Sequence, residues 1–423
     1  MKQVLRNYRE VLALGPVRTV LLAAAVSVAG DSAAMVALLL RVHDSGAGPW
    51  AVSALLLAFA VPVVALMGVA GSLADRADPR RVLTASAAVQ VIAALGLAAV
   101  DGLPATLGLV LVLQTAFALG NPSWTALVPR LVPEGSAGRV VALQQALRGL
   151  AGPLGAGAGG VLVQWHGPST ALLLDAASFL VLGAAALTLP RLGAPTPAGE
   201  GPPDGWRDRL LPRDGVVALR SDRVLGVLVL ALLPMVVTLE SVNVVEVFLV
   251  RDVLGASPAQ FGAAEAVHGG AAVLGALAAG AASTRSARVR LVLWAIGLVG
   301  LGQVGQGLAP GYPVYLVAAA AVGVLLGVVN ALVFALLLDE LAAGHRGAVV
   351  ALVSGLSRAA GALALGLGGV VGTLAGPRPA YLVAGLAGLL VAVVAAWAVH
   401  RSVDVTSTAR ASREAPGAST LEA

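Results

Sequence analysis

Twelve apolar runs, each long enough to cross a bilayer, follow one another along the chain, and no other feature constrains its fold so tightly. Read between turn and charge signals, they cover residues 17–40, 50–74, 80–100, 104–128, 139–164, 168–189, 223–250, 257–282, 288–309, 313–338, 346–374 and 377–399. Each reaches the roughly 20 residues that an α-helix needs to span the hydrocarbon. A chain that is 58% hydrophobic and 12% charged has too little polar surface to cover a water-soluble core. The alternation of a membrane β-barrel is absent. The expected fold is an all-α membrane protein, and twelve spans leave no room for a soluble catalytic domain. With 52 glycines and 4% aromatic residues, the helices can approach through small side chains. The first run follows Lys2, Arg6, Arg9 and Arg18 as a signal peptide would, but it is too long and contains Asp31. It is read as a retained first span.

The basic residues set an orientation. All but one of the 27 are arginines, and with the N-terminus inside, only Arg41, Arg251 and Arg378 fall in outer loops. Arg148 and Arg358 lie within spans. The positive-inside rule then places both termini in the cytoplasm. The net charge of +5 is a topology signal, which leaves nucleic-acid binding little to explain. With no cysteine there are no disulfides, thiol catalysis or cysteine metal sites.

Sliding the chain against itself by 209 residues aligns Asp31-Ser32 with Glu240-Ser241, Gly46, Ala47 and Pro49 with Gly255, Ala256 and Pro258, and Gly71, Arg76 and Arg81 with Gly280, Arg285 and Arg290. It also aligns Pro104 with Pro313, Asn121 with Asn330, Gly159-Gly160 with Gly368-Gly369, and Gly167-Pro168 with Gly376-Pro377. Matches spread across the whole half predict two pseudo-symmetric six-helix bundles, residues 1–189 and 223–400, running in the same sense. Residues 190–222, rich in Pro, Gly, Asp and Arg, read as a cytoplasmic linker. Residues 401–423 read as a disordered cytoplasmic tail. Parallel repeats of this kind belong to transporters whose bundles rock about a site near the membrane midplane.

These features, with three local motifs, resemble the major facilitator superfamily over nearly the whole chain. The loop Gly71-Ser72-Leu73-Ala74-Asp75-Arg76-Ala77-Asp78-Pro79-Arg80-Arg81-Val82-Leu83 is similar to the family signature between spans two and three, with Asp78 and Pro79 in place of its Gly and Arg. The resemblance implies a cytoplasmic gate at Gly71, Asp75, Arg76 and Arg80. Gly71 would permit close helix packing, and the charges would pair in one state and part in the other. The second copy has Thr284 where the Asp would stand, which makes the latch asymmetric. Span five, with Gly152, Pro153, Gly155 and Gly159, is similar to the Gly-Pro-rich stretch of the family's exporters, and these residues are assigned to helix packing. Its Gly155-x-Gly157-x-x-Gly160 spacing matches a dinucleotide fingerprint, but no strand precedes it. The stretches around Asn121-Pro122-Ser123, Pro129, Pro133-Glu134 and Asp175-Ala176-Ala177-Ser178-Phe179 resemble the branch that contains enterobactin exporters and macrolide-type efflux proteins.

Charges at membrane depth cost roughly 2.5–3.5 kcal/mol each on insertion scales, so they face a cavity or a partner. Asp31 and Arg148 come within reach of each other if spans one and five adjoin. Glu240 is the repeat partner of Asp31, and Asn243 shares its face. Arg358 stands one residue from the repeat partner of Arg148, and Glu265 and His268 are three apart on span eight. Asp31, Arg148 and Glu240 are the candidate proton-coupling residues. For Asp31 a fixed structural ion pair with Arg148 is the competing reading, and for Glu240 it is binding of a cationic substrate. His268 is read either as a satisfied polar residue or as a proton relay. Glu246 and Asp175 are assigned to the outer region in solvated or capping roles. Ser32, Gln114, Asn121, Asn243, His268, Asn330 and Arg358 are the candidate cavity residues, within mainly apolar walls.

The function expected from all this is a secondary transporter, not an enzyme. It would export amphipathic small molecules such as a drug, siderophore or metabolite by proton antiport, from a bacterial inner membrane, as a monomer. Its partners are then the substrate, protons and lipid, with no cofactor and no metal. No Walker-type loop is present to power it with ATP. A proton-coupled uptake carrier of the same fold, a membrane-embedded enzyme and a non-transporting receptor are the rivals; five histidines with none clustered disfavour the enzyme.

Overall fold

Proline and glycine at one end of the bundle set where the helices begin and turn. A computed structural model describes residues 15–132, 136–189, 217, 219, 222–341 and 343–414. Lys2, Arg6, Arg9, Pro133, Glu134 and most of the 190–222 linker lie outside them. Span one is Gly15–Asp44 and span two is Pro49–Ala65 continued by Met67–Arg76, bent by 50° at the break. Spans three to six are Pro79–Ala99, Leu103–Arg130, Ala137–His166 and Pro168–Leu187. Span seven, Arg223–Phe248, ends in a π-turn over Leu249–Val253. Spans eight to twelve are Pro258–Ala279, Arg285–Leu308, Tyr312–Glu340, Ala343–Ala375 and Pro377–Glu414. Eleven helices are long and apolar enough to cross a membrane, and twelve if the bent pair is one span; the described residues contain no strand.

The bend has a chemical cause. Pro62 has no N–H to give to the preceding turn and its ring crowds the carbonyl four residues back. Turns at the arginine-poor end use glycine in the left-handed region. Gly48, Gly167 and Gly376, with φ near +80°, each precede a proline that opens the next span. At the arginine-rich end polar caps do the work. Asp78 accepts from the Arg80 N–H at 3.0 Å and is followed by Pro79 at the first helical position, so the two departures from the family loop start span three. In the second half Thr284, the repeat partner of Asp75, caps span nine, three residues earlier than the repeat partner of Asp78.

One expectation for the C-terminus changes. The last helix carries on through Glu414 instead of ending at 400, because no Gly or Pro interrupts the sequence between Arg401 and Pro416.

The two halves repeat the same packing. Span one packs on five and three on six; span seven packs on eleven and nine on twelve. Between halves, span five meets eight and span two meets eleven. The paired glycines explain how. A Cβ on Gly159 would stand 2.7 Å from Ala33 Cα, within its own half, and one on Gly160 would stand 2.8 Å from Gly262 Cα, across the halves. In the second copy Gly368 abuts the Ser241 backbone, and a Cβ on Gly369 would stand 2.6 Å from Ser53 Cβ across the halves. Ser53 and Gly262 are themselves 209 apart, so both contacts obey the repeat. Gly155, expected to pack helices, abuts Ala29. Gly157 faces Ala266, so the three glycines of the dinucleotide-like spacing meet three different neighbours.

A Gly159→Leu substitution must displace the Ala33 backbone. It is expected to destabilise the folded chain by about 1–3 kcal/mol, lowering the thermal midpoint of the detergent-purified protein, whereas Gly108→Leu, where nothing lies within 4 Å, leaves it unchanged.

Candidate functional site

A cavity of about 870 Å³ opens between the halves, lined from both. Met, Val, Leu and Phe supply much of its walls, and set into them are four carboxyl groups, Asp31, Glu240, Glu246 and Glu265. No Lys or Arg is among the described residues that line it. Of the residues expected there, Ser32, Gln114, Asn243, His268 and Asn330 line it, as do Gly152 and Pro153. Asn121 lies instead in a smaller side pocket. Arg358 is not in the lining either; it is exposed, one helical turn along from Gly361, whose Cβ would touch Glu240 at 3.4 Å.

Asp31 belongs to both spaces. The side pocket, about 40 Å³, is bounded by Asp31, Arg148, Ser27, Ser86, Gln90, Asn121 and Trp124. Spans one and five adjoin as expected, yet no ion pair within 4.0 Å joins Asp31 to Arg148, and the buried Nε of Arg148 has no hydrogen-bond partner. A polar space of this size is enough for about one water, so the two charges face each other across a gap and are not locked together.

Asp175 corrects an expectation. Its position early in span six suggested a solvated residue, but it is 2% exposed. Ser178 donates to its Oδ1 at 3.2 Å, and a Cβ on Gly30 would stand 2.7 Å from that oxygen. Depth along a helix is not exposure: span six turns this face onto span one, beside Asp31.

Glu246 is corrected likewise. It lines the cavity and accepts a hydrogen bond from the Tyr315 hydroxyl at 2.6 Å. Tyr315 and Tyr381 are fully buried beside it. Glu240 accepts from Asn243 Nδ2 at 3.1 Å, and His268 Nδ1 lies 3.3 Å from the Ala319 carbonyl, which makes that nitrogen the donor. Buried Gln303 and Gln306 complete the wall. The signal that could have found Glu246 is its spacing: Glu240, Asn243 and Glu246 recur every three residues, one helical face.

Contact between the halves gathers at the arginine-poor end of the cavity. There Ser53 Oγ donates to the Leu365 carbonyl at 2.6 Å and the Ala259 N–H donates to Gln164 Oε1 at 3.1 Å, beside the glycine contacts described above. At the arginine-rich end the ion pairs among described residues stay within one half: Arg285 pairs with Asp222 and, at 3.4 Å, with Glu340, and Arg288 pairs with Asp339 at 2.5 Å. In the first copy Asp75 and Arg76 are exposed and Arg80 donates to the Leu189 carbonyl at 3.1 Å. Gly71, expected to allow close packing, has nothing within 4 Å of its Cβ position. Among the described residues no ion pair joins the halves at this end.

The sequence profile of the Major Facilitator Superfamily matches residues 20–251 and 238–421. A relative named multidrug efflux pump Tap, from Mycobacterium tuberculosis and Mycobacterium bovis, is 28% identical over 387 residues, covering 87% of this chain and 90% of the relative. Among solved structures, a mutant of the nucleoside transporter NupG superposes with a TM-score of 0.73 at 13% identity, covering 91% of this chain and 100% of that one. A bacterial homologue of the human lysosomal transporter Spinster, described as inward-facing and unoccupied, superposes at 0.68 and 13%, covering 91% and 95%. At such identities the likeness shows the fold.

Removing the Tyr315 hydroxyl leaves a Glu246 oxygen without its donor. Tyr315→Phe is expected to cost about 1–3 kcal/mol, seen as a fall of a few degrees in the thermal midpoint, while Asn330→Ala, at an exposed position, leaves the midpoint in place.

Proposed function

The chain belongs to the major facilitator superfamily, a family of membrane transporters, and on that premise we propose that it exports amphipathic small molecules from the bacterial cytoplasm in exchange for protons. The arginine-rich end is then cytoplasmic, and in this reading the cavity, with the halves in contact at its other end, is open to the cytoplasm. The observation that carries the reading is the double position of Asp31, which borders the cavity on one side and the Arg148 pocket on the other.

That position gives a coupling mechanism. Burial favours a neutral carboxyl group and a nearby guanidinium favours an ionised one. A buried carboxyl away from Arg148 therefore tends to hold a proton, and one drawn onto Arg148 releases it. Rocking of the halves changes the gap between spans one and five and so alternates these states. Each charge crossing 100 mV contributes about 2.3 kcal/mol, and each pH unit about 1.4 kcal/mol, enough to drive export uphill. The apolar walls suit a lipophilic body, and the carboxyl groups suit a polar or positively charged end. The name of the mycobacterial relative supports export, as does the Gly-Pro-rich span five.

Asp75, Arg76 and Arg80 form the cytoplasmic gate in this reading. They are apart here because this mouth is open, and they pair across the halves when it shuts.

Proteoliposomes with an imposed pH gradient test the coupling, with lipophilic dyes as probes. Wild type is expected to move dye against its gradient only while the proton gradient lasts. Asp31→Asn is expected to lose at least about tenfold of that uphill transport while still binding dye. Gradient-independent export by the wild type, or unimpaired coupling in Asp31→Asn, overturns the assignment. Dye accumulating on the proton-rich side marks export, and the reverse marks uptake.

A further inference from the structure

The closed mouth is bridged by a histidine. His43 sits in the last turn of span one, with Nε2 2.8 Å from Oδ1 of Asp252 on the π-turn of span seven and Nδ1 2.8 Å from Oδ1 of its neighbour Asp44. The His43 side chain is 10% exposed and the two carboxylates are more than half exposed. The Phe248 ring lies against the imidazole, centroids 5.2 Å apart. His43 and Asp252 are 209 residues apart, so the bond joins equivalent positions of the two halves.

The hydrogens at this site can be counted. A carboxylate only accepts, and a neutral imidazole has a single N–H. With a carboxylate oxygen at each ring nitrogen, the neutral ring would set one lone pair against another at 2.8 Å. The closed mouth therefore holds one proton more than a neutral imidazole between two ionised carboxylates. Asp44 moves with His43, whereas Asp252 belongs to the other half and departs when the mouth opens. Opening thus removes one of the proton's two partners, and by reciprocity the proton favours closure.

Other charged groups on the elements packed here are engaged elsewhere. Arg41 donates to the Leu97 and Val100 carbonyls and to Ser169, with Asp101 nearby. Arg251 donates to the Ala256 carbonyl and Arg378 to the Ala309 carbonyl, and Glu246 accepts from Tyr315. His166, at the end of span five, is exposed.

We propose that His43, with Asp44 and Asp252, is a proton-binding site that locks this mouth shut. On the outer face of the membrane it returns the carrier to its cytoplasm-open state when the outside is acidic, and relaxes as the outside becomes alkaline. It requires no proton on Asp31 and no substrate.

The absence of cysteine permits a direct test. Leu173→Cys on span six and Val314→Cys on span ten, both half-exposed positions at this end of opposite halves, are spin-labelled and their separation is measured by pulsed EPR in lipid nanodiscs without substrate. From about pH 5.5 to about pH 8.5, the ratio of short to long distances in the full chain is expected to fall about two- to five-fold, the size of an exposed ion pair. His43→Gln and Asp252→Asn, checked as folded by size-exclusion chromatography, are expected to flatten the response. Asp31→Asn in the same background is expected to keep it. No response in the wild type, an undiminished one in either mouth variant, or its loss in Asp31→Asn overturns the proposal. The last result assigns the shift to the cavity instead. Because the readout is a distance in resting protein, failure of the lock and failure of proton-coupled export are separate results.

Discussion

Backbone contact at glycine is the interaction on which the rest of this structure depends. Lipid tails are as apolar as leucine, so helices in a bilayer gain nothing from hiding hydrophobic surface from one another and must associate by close packing. Gly155 and Gly159 bring span five onto the backbone of span one, and that contact places Arg148 next to the pocket it shares with Asp31. Gly160 and Gly369 extend the same device across the halves. Backbone packed on backbone has no long side chains to interlock, so such surfaces can separate and meet again with little repacking. That property suits an interface that must open and close.

The other constraint is the cost of charge. With lipid outside, each ionisable group inside a span needs water or a partner, and the cavity supplies the first while single hydrogen bonds supply the second. The distribution is uneven between halves. Three of the four cavity carboxyl groups belong to the second half, where Tyr315 and Asn243 each satisfy one. In the first half Asp31 stands without a paired cation while Arg148 waits across a small polar space. Groups held by fixed donors make walls, and a group left between two environments is the one able to switch.

Much of this was legible in the sequence, for identifiable reasons. The spans follow from run length. The repeat offset foretold not only two halves but which glycines do equivalent work, since a one-residue slip would have spoiled Gly159-Gly160 against Gly368-Gly369. What could not be read was which way a side chain faces at a given depth. Asp175 lies early in its span, as expected, yet is buried because span six presents that face to span one. Arg358 lies mid-span, as expected, yet outside the cavity lining. Gly71 carries a packing signature but has no neighbour, because a sequence is common to every state of the cycle and a structure records only one. The His43–Asp252 bond is hidden in the sequence for a related reason: the repeat aligns a histidine with an aspartate, which scores as a mismatch, although unlike residues at equivalent positions are what an ion pair between two halves requires.

The closed mouth also shows why such a molecule can move at all. Across it stand a hydroxyl–carbonyl bond, an amide–amide bond, the histidine bridge and glycine contacts. Each polar bond adds only about 0.5–1.5 kcal/mol net, and an exposed ion pair about 0–1 kcal/mol. Shifting a two-state equilibrium from one side almost fully to the other takes about 5.5 kcal/mol. Each of these polar contacts is therefore small beside what one bound substrate and one or two protons can supply. The weakness of each polar bond across the mouth leaves its opening and closing to the ligands and to the apolar packing that the halves share there.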